Sequence, residues 1–227
     1  MSGKDRIRRK DGDVRREGLL RAAIEVFAEK GFAQASVRTI TTKAGANVSA
    51  VKYYFDGKIG LFHAALEEAH LSMIAQEVLP DLETPTPKKA LRLWIGWCLR
   101  TAMRVETSEQ PGAKFLIRTA NLPKHELAEL GLIGLTERMS QPIQFLVRSL
   151  LLRLVPEPVE EKMPQAVGFV MLLMTQFTES PEMLERSGLS FPASLDEIDP
   201  LADDLCQFIH TGVLSLLQPS TQSKEPS

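Results

Sequence analysis

The chain has 227 residues, of which 44% are hydrophobic and 25% charged, enough to bury a sizeable core in one or two domains. No apolar run reaches the roughly 18 residues of a transmembrane helix, and the charged amino terminus has no apolar segment behind it, so we expect no secretory signal. The two cysteines both stand in apolar helical contexts, so we expect no disulfide framework and a reducing, cytoplasmic setting.

The net charge of -2 conceals an asymmetry between the two ends of the chain. Residues 1–58 carry 13 Lys and Arg against 7 Asp and Glu, whereas residues 59–227 carry 14 against 22. A basic amino-terminal end on an acidic body is typical of a nucleic-acid reader with a separate second module. A solvated basic tail would give the same balance, so charge alone leaves both interpretations open.

Apolar residues recur at helical spacing along nearly the whole chain, and strand signals are scarce, so we predict an all-α fold. Gly31 and Gly45 are expected to end the first and second helices, while Ser36 and Asn47 are expected to cap the second and third. The fourth helix should stop before Pro80. These four helices are predicted over residues 16–30, 37–44, 48–55 and 58–79.

A proline-rich linker leads to a second group of helices, predicted over residues 88–105, 113–122, 124–130, 135–154, 164–178 and 200–217. Pro142 should kink one of them, and residues 179–199 should be irregular. The chain is therefore predicted to have four parts, with the fourth helix as the link between the two domains. They are a flexible basic arm (1–14), an amino-terminal domain of short helices (15–62), a second helical domain (80–217) and a disordered tail (218–227).

The stretch Ser36–Lys58 predicts a helix-turn-helix. Its short helices can pack through Ile40 against Val51 and Phe55, and Gly45 permits the tight turn between them. The second helix is too short and too polar to exist for packing alone, and it would present small and polar residues to base edges and cations and hydroxyls to phosphates. By residue type, the groove suits Ser49, Ala50 and Lys52, and the phosphate backbone suits Tyr53, Tyr54 and Lys58.

Four blocks of residues carry a family resemblance. They are F-A-E-K-G-F over 27–32, S-V-R-T-I over 36–40, the pair Ala44-Gly45, and V-x-Y-Y-F-x-x-K over 51–58 followed by Leu61-Phe62. Together they make the first 70 or so residues resemble the TetR/AcrR family of bacterial transcriptional regulators, while the carboxy-terminal half is faintly similar to the CerR-like regulators. Lys52 stands where an aromatic residue or Asn is common in the family, which indicates a different operator preference.

The resemblance implies DNA contacts along both short helices. The implied residues are Ser36, Arg38, Thr39, Asn47, Val48, Ser49, Ala50, Lys52, Tyr53, Tyr54 and Lys58. For Tyr54 a simple core position is the alternative, and for Lys58 a solvated surface position. The basic arm with Arg6, Arg8, Arg9 and Lys10 is as consistent with an unstructured tail as with a minor-groove contact.

The second module is predicted to form a homodimer through its last two helices. The segment VGFVMLLMTQF is apolar nearly all round, so it needs cover on more than one side, and a seam at steps of three and four follows in the last helix. Two chains would make a four-helix interface. The alternative is that both helices belong to the core of a monomer. The predicted interface residues are Phe169, Leu173, Leu201, Leu205, Phe208, Ile209, Gly212 and Leu216.

Large side chains on the preceding helices predict a cavity for a small-molecule effector, which the family resemblance also implies. The candidates are Trp94, Trp97, Cys98, Met103, Phe115, Met139, Phe145, Met171, Met174 and Phe177. At helical spacing such residues are more often core than ligand site. The acidic balance of the module favours a lipophilic or cationic ligand, and no cofactor is expected.

Taken together, the sequence and the resemblance predict a dimeric repressor that a small molecule releases from operator DNA. A transcriptional activator, an architectural DNA binder without an inducer and a helical ligand carrier are the alternatives. An enzyme is not expected, because no nucleophile elbow, phosphate-binding glycine loop or Cys-x-x-Cys pair occurs. Metal sites at His63, Glu67 and His70, or at Cys206 and His210, are conceivable from spacing alone, but such spacing arises often on solvated helices.

Overall fold

The chain is all-α, which confirms the fold class predicted from its periodicity. The computed structural model describes residues 3–83, 85–179, 188 and 190–218, with side chains from residue 12 onward. Within these residues there are ten α-helices and no strand. The helices are α1 (Gly3–Gln34), α2 (Val37–Lys43), α3 (Val48–Phe55), α4 (Lys58–Ile74), α5 (Pro87–Thr107), α6 (Pro111–Ala120), α7 (Lys124–Glu129), α8 (Leu132–Leu154), α9 (Met163–Glu179) and α10 (Ile198–Leu217).

Most helix ends fall within four residues of their predicted positions, and two do not. The backbone of α1 is helical from Gly3, whereas the sequence placed residues 1–14 in a flexible arm. That segment is polar on all sides and so gives no periodicity signal. The predicted tail beyond Gln218 and residues 180–187 and 189 of the predicted irregular connection lie outside the described residues.

The other displaced end belongs to α4, which stops at Ile74 rather than near residue 79. Leu79 precedes Pro80, and the residue before a proline is disfavoured in helical geometry. The carbonyl of Glu77 also has a different partner, because it accepts a hydrogen bond from the indole Nε1 of Trp97 at 3.3 Å. The backbone polar group is thus satisfied without a further helical turn.

The chain divides into two compact units. The first comprises Met1–Gln76 and Arg104–Met139, and the second comprises Glu77–Met103 and Ser140–Ser227. Residues 104–139, which the sequence assigned to the second domain, therefore pack with the amino-terminal helices. None of the helices in the described part of the chain combines the length and apolar character needed to cross a membrane.

The core of the first unit is built around four phenylalanines. The Phe27 ring on α1 lies 4.9 Å from Phe62 on α4 and 5.7 Å from Phe115 on α6, measured between centroids. Phe62 meets Phe115 edge-on at 5.1 Å and Phe32 edge-on at 5.2 Å. Such edge and offset contacts add to the free energy gained from burial alone. Phe115, predicted for the ligand pocket, instead fixes α6 to α1 and α4.

A polar contact also joins α6 to the end of α1. Gly31 has a φ of 70°, which breaks the helical geometry inside α1 as the sequence predicted. Nη1 of Arg118 donates to the carbonyls of Ala28 and Glu29 at 3.2 and 3.1 Å. A Cβ at Gly31 would stand 3.0 Å from Nε of Arg118, so the glycine also makes room for the guanidinium. The last carbonyls of the helix are thereby satisfied by a cation.

In the second unit side-chain contacts join α5 to α10, and each of these helices has a buried stripe. Leu91, Trp94 and Ile95 are at most 1% exposed, and Ile198, Cys206 and other residues of α10 form an equally buried stripe. At the edge of this contact, Nε of Arg92 pairs with Asp203 at 2.5 Å. The Cys206 thiol lies 3.5 Å from the Lys88 carbonyl. These polar contacts fix the register between α5 and α10.

Replacement of Phe115 by Ala should lower the free energy of unfolding of the first unit by about 3–5 kcal/mol, because it removes a ring that is 1% exposed and contacts two others. Urea unfolding followed by circular dichroism measures this. Phe145→Ala is the matched control, since Phe145 is 77% exposed and its loss should change stability by less than about 0.5 kcal/mol. Equal effects of the two substitutions would contradict the assignment.

Candidate nucleic-acid interface

The helix-turn-helix begins with two side-chain caps. Ser36 precedes α2 in extended geometry, and its Oγ accepts a hydrogen bond from the Thr39 amide at 3.0 Å. Asn47 precedes α3, and its Oδ1 accepts from the Ser49 amide at 3.0 Å and from the Ser49 hydroxyl at 2.9 Å. Both predicted caps are confirmed. Each cap satisfies one amide at a helix start.

The inner side of the two helices packs into the core of the first unit. Ile40, Val51 and Phe55 are 0, 1 and 7% exposed and belong to one apolar cluster with Phe27 and its neighbours. Thr41 is buried as well, and its hydroxyl donates to the Val37 carbonyl at 3.0 Å. Because these residues fix the inner side, the orientation of the outer side of α3 is determined by the core.

Eight of the predicted DNA-binding residues have exposed side chains and three are half-buried. Val48 and Tyr53, at 53 and 82%, are exposed despite their apolar character. Ala50 and Tyr54 are half-buried against the core cluster, and Lys58 is half-buried too. The exposed members are Ser36, Arg38, Thr39, Asn47, Val48, Ser49, Lys52 and Tyr53. The predicted set therefore forms one face with a partly buried edge.

Lys52 is engaged in an ion pair within its own helix end. Its Nζ contacts Oδ1 of Asp56, one turn later, and both side chains are largely exposed. The Lys52 hydrogen bond, followed by its charge, lowers the pKa of Asp56 below the usual value for a carboxyl. Asp56 ends α3 in left-handed geometry, with φ 59° and ψ 20°. Sequence reasoning treated Asp56 as a turn residue and missed this pairing.

Lys58 lies over an aromatic face rather than free in solvent. Its Nζ is 4.2 Å from the centroid of the Phe32 ring, and partial burial lowers the pKa of the amine. Tyr53 and Tyr54 meet edge-on with centroids 4.8 Å apart. A Cβ added to Gly12 would stand 3.6 Å from the Tyr54 hydroxyl oxygen, so α1 passes close to this tyrosine.

Two further cations near the face were not singled out from the sequence. The guanidinium of Arg16 on α1 lies 5.4 Å from the centroid of Phe55. Lys43, in the last turn of α2, pairs with Glu25 at 2.5 Å, and this contact raises the pKa of the lysine. Neither contact has a local sequence signal, because each partner lies on another helix. The side chains of the basic arm lie outside the described part.

The predicted ligand residues do not form one group. Phe115 and Met139 belong to the first unit and pack with its core, and Phe145 is exposed on α8. In the second unit the remaining candidates are buried or half-buried, and they are Trp94, Trp97, Cys98, Met103, Met171, Met174 and Phe177. Burial raises the pKa of the Cys98 thiol to about 12, so this cysteine is not a thiolate at neutral pH.

The two tryptophans of the second unit differ in one respect. Trp97 donates its indole N–H to a backbone carbonyl, whereas the Nε1 of Trp94 is buried and is without a hydrogen-bond partner among the described residues. A buried donor left unpaired costs about 1–3 kcal/mol. Trp94 is therefore the candidate with an unused polar group.

The predicted dimer residues also differ in their exposure to solvent. Leu205 and Ile209 are buried inside the chain's own unit, whereas Phe169 and Phe208 are 56 and 71% exposed. Leu173, Leu201 and Leu216 are half-buried, and Gly212 is exposed with open space around it. Leu172, one turn from Phe169 and 61% exposed, was missed by the sequence reasoning. The exposed residues give α9 and α10 apolar outer faces.

One of the conceivable metal residues, His63, has a backbone partner. Nε2 of His63 lies 2.6 Å from the carbonyl oxygen of Leu130, and burial lowers the pKa of His70 and of His210. No group of three His, Cys, Asp or Glu side chains in the described ranges is placed to hold a metal ion.

The amino-terminal part of the chain, which contains this face, is similar to known bacterial regulators. Residues 19–65 match the family model described as bacterial regulatory proteins, tetR family. The transcriptional repressor NicS of Pseudomonas putida is 34% identical over 86 residues, which are 38% of this chain and 41% of that protein. The regulator BetI of Stenotrophomonas maltophilia is 46% identical over 55 residues, 24% of this chain and 28% of that protein. The chain thus matches less than half the length of these curated relatives.

Solved structures extend the likeness to the fold of most of the chain. The regulator FadR of Bacillus subtilis, solved in complex with stearoyl-CoA, is similar with a TM-score of 0.56 at 16% sequence identity. The match covers 86% of this chain and 98% of that one. At this identity the likeness concerns the fold alone.

Proposed function

Because the chain belongs to the tetR family of bacterial transcriptional regulators, we propose that it is a dimeric repressor that binds operator DNA and is released by a small molecule. The observation that carries the proposal is the exposed outer face of α3, which a buried inner face holds in a fixed orientation. Its place of action would be the cytoplasm, where bacterial DNA lies.

The chemistry of this face suits two kinds of DNA contact. Val48, Ser49 and Lys52 offer an apolar group, a hydroxyl and an amine to base edges in a major groove. Arg38 and Thr39 on α2, with Tyr53, Tyr54 and Lys58, would contact phosphates. The amides at the starts of α2 and α3 would add donors for phosphate oxygens. Phosphate contacts position the helix, and base contacts supply the sequence preference.

A homodimer is part of the proposal because one helix of eight residues gives too small a contact for specificity. The exposed Phe169, Leu172 and Phe208 form apolar outer faces on α9 and α10, with Gly168 and Gly212 open to close approach. Two chains joined there would form a four-helix interface and read half-sites about 34–36 Å apart.

The proposed effector is a lipophilic molecule that carries a hydrogen-bond acceptor. Apolar side chains of α5 and α9 surround it in this proposal, and the unpaired indole N–H of Trp94 supplies the polar contact. The stearoyl-CoA complex of a fold neighbour supports an acyl chain as the apolar part. A ligand that binds one conformation better than the other would shift the population away from the DNA-bound form.

Lys52→Ala should weaken binding to the selected operator by about 1–3 kcal/mol and relax the preference at one base pair. Lys58→Ala should weaken binding to all sequences alike and lower the salt slope by about 1. Fluorescence anisotropy with a duplex enriched from a random library, and with a scrambled duplex, separates the two effects. Lys124→Ala, an exposed lysine of α7, is the control. If Lys52→Ala left the base preference unchanged, Lys52 would not be a base-reading residue.

Phe208→Asp should convert the dimer to monomer in analytical ultracentrifugation and reduce operator affinity at least tenfold, because a charge would enter an apolar interface. Phe145→Asp is the control, since Phe145 has similar exposure on a helix outside the proposed interface. A Phe208→Asp protein that remained dimeric would place the interface elsewhere.

Trp94→Phe should weaken binding of a lipophilic ligand by roughly five- to tenfold, the contribution of one hydrogen bond. Stearoyl-CoA and methyl stearate serve as probes, with release of fluorescent operator DNA as the readout. Trp97→Phe is the matched control, because that indole already has a protein partner. It also leaves Trp94 as the sole tryptophan, whose emission should shift on binding. If neither probe shifted the emission or released DNA, the proposed ligand class would be wrong.

A further inference from the structure

Asp56 is the one acidic residue between Ser36 and Lys58, a stretch with four cationic residues. It ends α3 with a φ of 59°, the only positive φ outside glycine among the described residues. Glycine adopts this geometry freely, and asparagine does so at least as readily as aspartate. The end of the helix therefore does not require a carboxylate, and the charge of Asp56 needs a separate explanation.

The carboxylate neutralises the only charge that α3 carries. Lys52 is the one ionisable cation in VSAVKYYF, and its Nζ contacts Oδ1 of Asp56. The two side chains are 75 and 87% exposed, so the pair stands at the surface that would meet DNA. An exposed aspartate is ionised at neutral pH, and the hydrogen bond from Lys52 lowers the pKa of Asp56 further. In the free protein the recognition helix thus presents a closed ion pair.

A closed ion pair affects non-operator DNA more than operator DNA. Non-specific affinity comes from cations that replace counterions on phosphates, and a lysine held by a carboxylate contributes little to that exchange. An exposed i,i+4 pair is weak, comparable to a screened contact with a phosphate. A guanine edge offers the O6 and N7 acceptors together, which is a stronger partner for an amine. Resting on the DNA-binding function proposed above, we propose that Asp56 is a specificity-determining residue that keeps Lys52 off non-operator phosphates.

Asp56→Asn removes the charge and keeps a side chain that tolerates left-handed geometry. We expect it to strengthen binding to a scrambled duplex by about two- to fivefold and to raise the salt slope on that duplex by about 0.9, because Lys52 becomes free to contact phosphate. Affinity for the duplex enriched from a random library should rise less, so the ratio of the two affinities falls. Fluorescence anisotropy across a salt series measures both.

Two controls separate the pair from a simple change of net charge. Glu25→Gln also removes one negative charge and frees a lysine, Lys43, which has no proposed base contact. It should change affinity for both duplexes by the same factor. In a Lys52→Gln background, Asp56→Asn should no longer alter the ratio of affinities. Persistence of the effect in that background would overturn the proposal, because the carboxylate would then act without Lys52.

Asp56→Gly is the control for distortion of the helix end, since glycine adopts the positive φ most readily. It should reproduce the Asp56→Asn result. Equal gains on both duplexes for both variants, or no gain, would overturn the role of Asp56. That outcome differs from a failure of the DNA-binding proposal itself, in which the unmodified protein would enrich no sequence from the library.

Discussion

The cluster of Phe27, Phe32, Phe62 and Phe115 is the contact on which the proposed DNA-binding surface depends. Its four rings come from α1, α4 and α6, with centroids 4.9 to 5.7 Å apart in the contacts that join these helices. The helix-turn-helix is short, and α2 and α3 together bury few residues of their own. Their orientation is therefore set by the aromatic core beneath them. Burial of such rings is among the largest single contributions a small unit can gain.

The same cluster connects the core to the charged surface. Phe32 lies under the amine of Lys58, so the position of a proposed phosphate contact depends on a core ring. Arg118 adds a second link, because it satisfies the last carbonyls of α1 just before the chain turns at Gly31. Both links use residues within the first unit. Displacement of α6 would therefore disturb the base of the proposed DNA-binding surface without any contact to DNA.

The sequence predicts those parts of the molecule that local chemistry decides. Helix α3 has the predicted bounds, because Asn47 caps it and the Asp56-Gly57 turn ends it. Prediction from the sequence fails where a residue's packing partner is distant in the chain. Phe115 and Phe145 have the same side chain on similarly amphipathic helices, yet one is buried and the other 77% exposed. Only the packing of α6 against α1 and α4 distinguishes them, and no periodicity encodes which helices meet.

Local rules are broken at a few positions, and these coincide with the proposed functional sites. Asp56 is a non-glycine residue in left-handed geometry, and its carboxylate pairs with Lys52, the only cation of α3. Gly or Asn would end the helix as well. The indole N–H of Trp94 is buried without a partner in the part of the chain described, although its neighbour Trp97 is satisfied. The unpaired indole N–H of Trp94 raises the free energy of the unliganded protein and would gain a partner in a bound ligand, whereas the Asp56–Lys52 ion pair would open if Lys52 met a base edge. Proteins retain such locally unfavourable features where binding depends on them. The two positions therefore match the two binding events proposed above, one with DNA acceptors and one with a ligand acceptor.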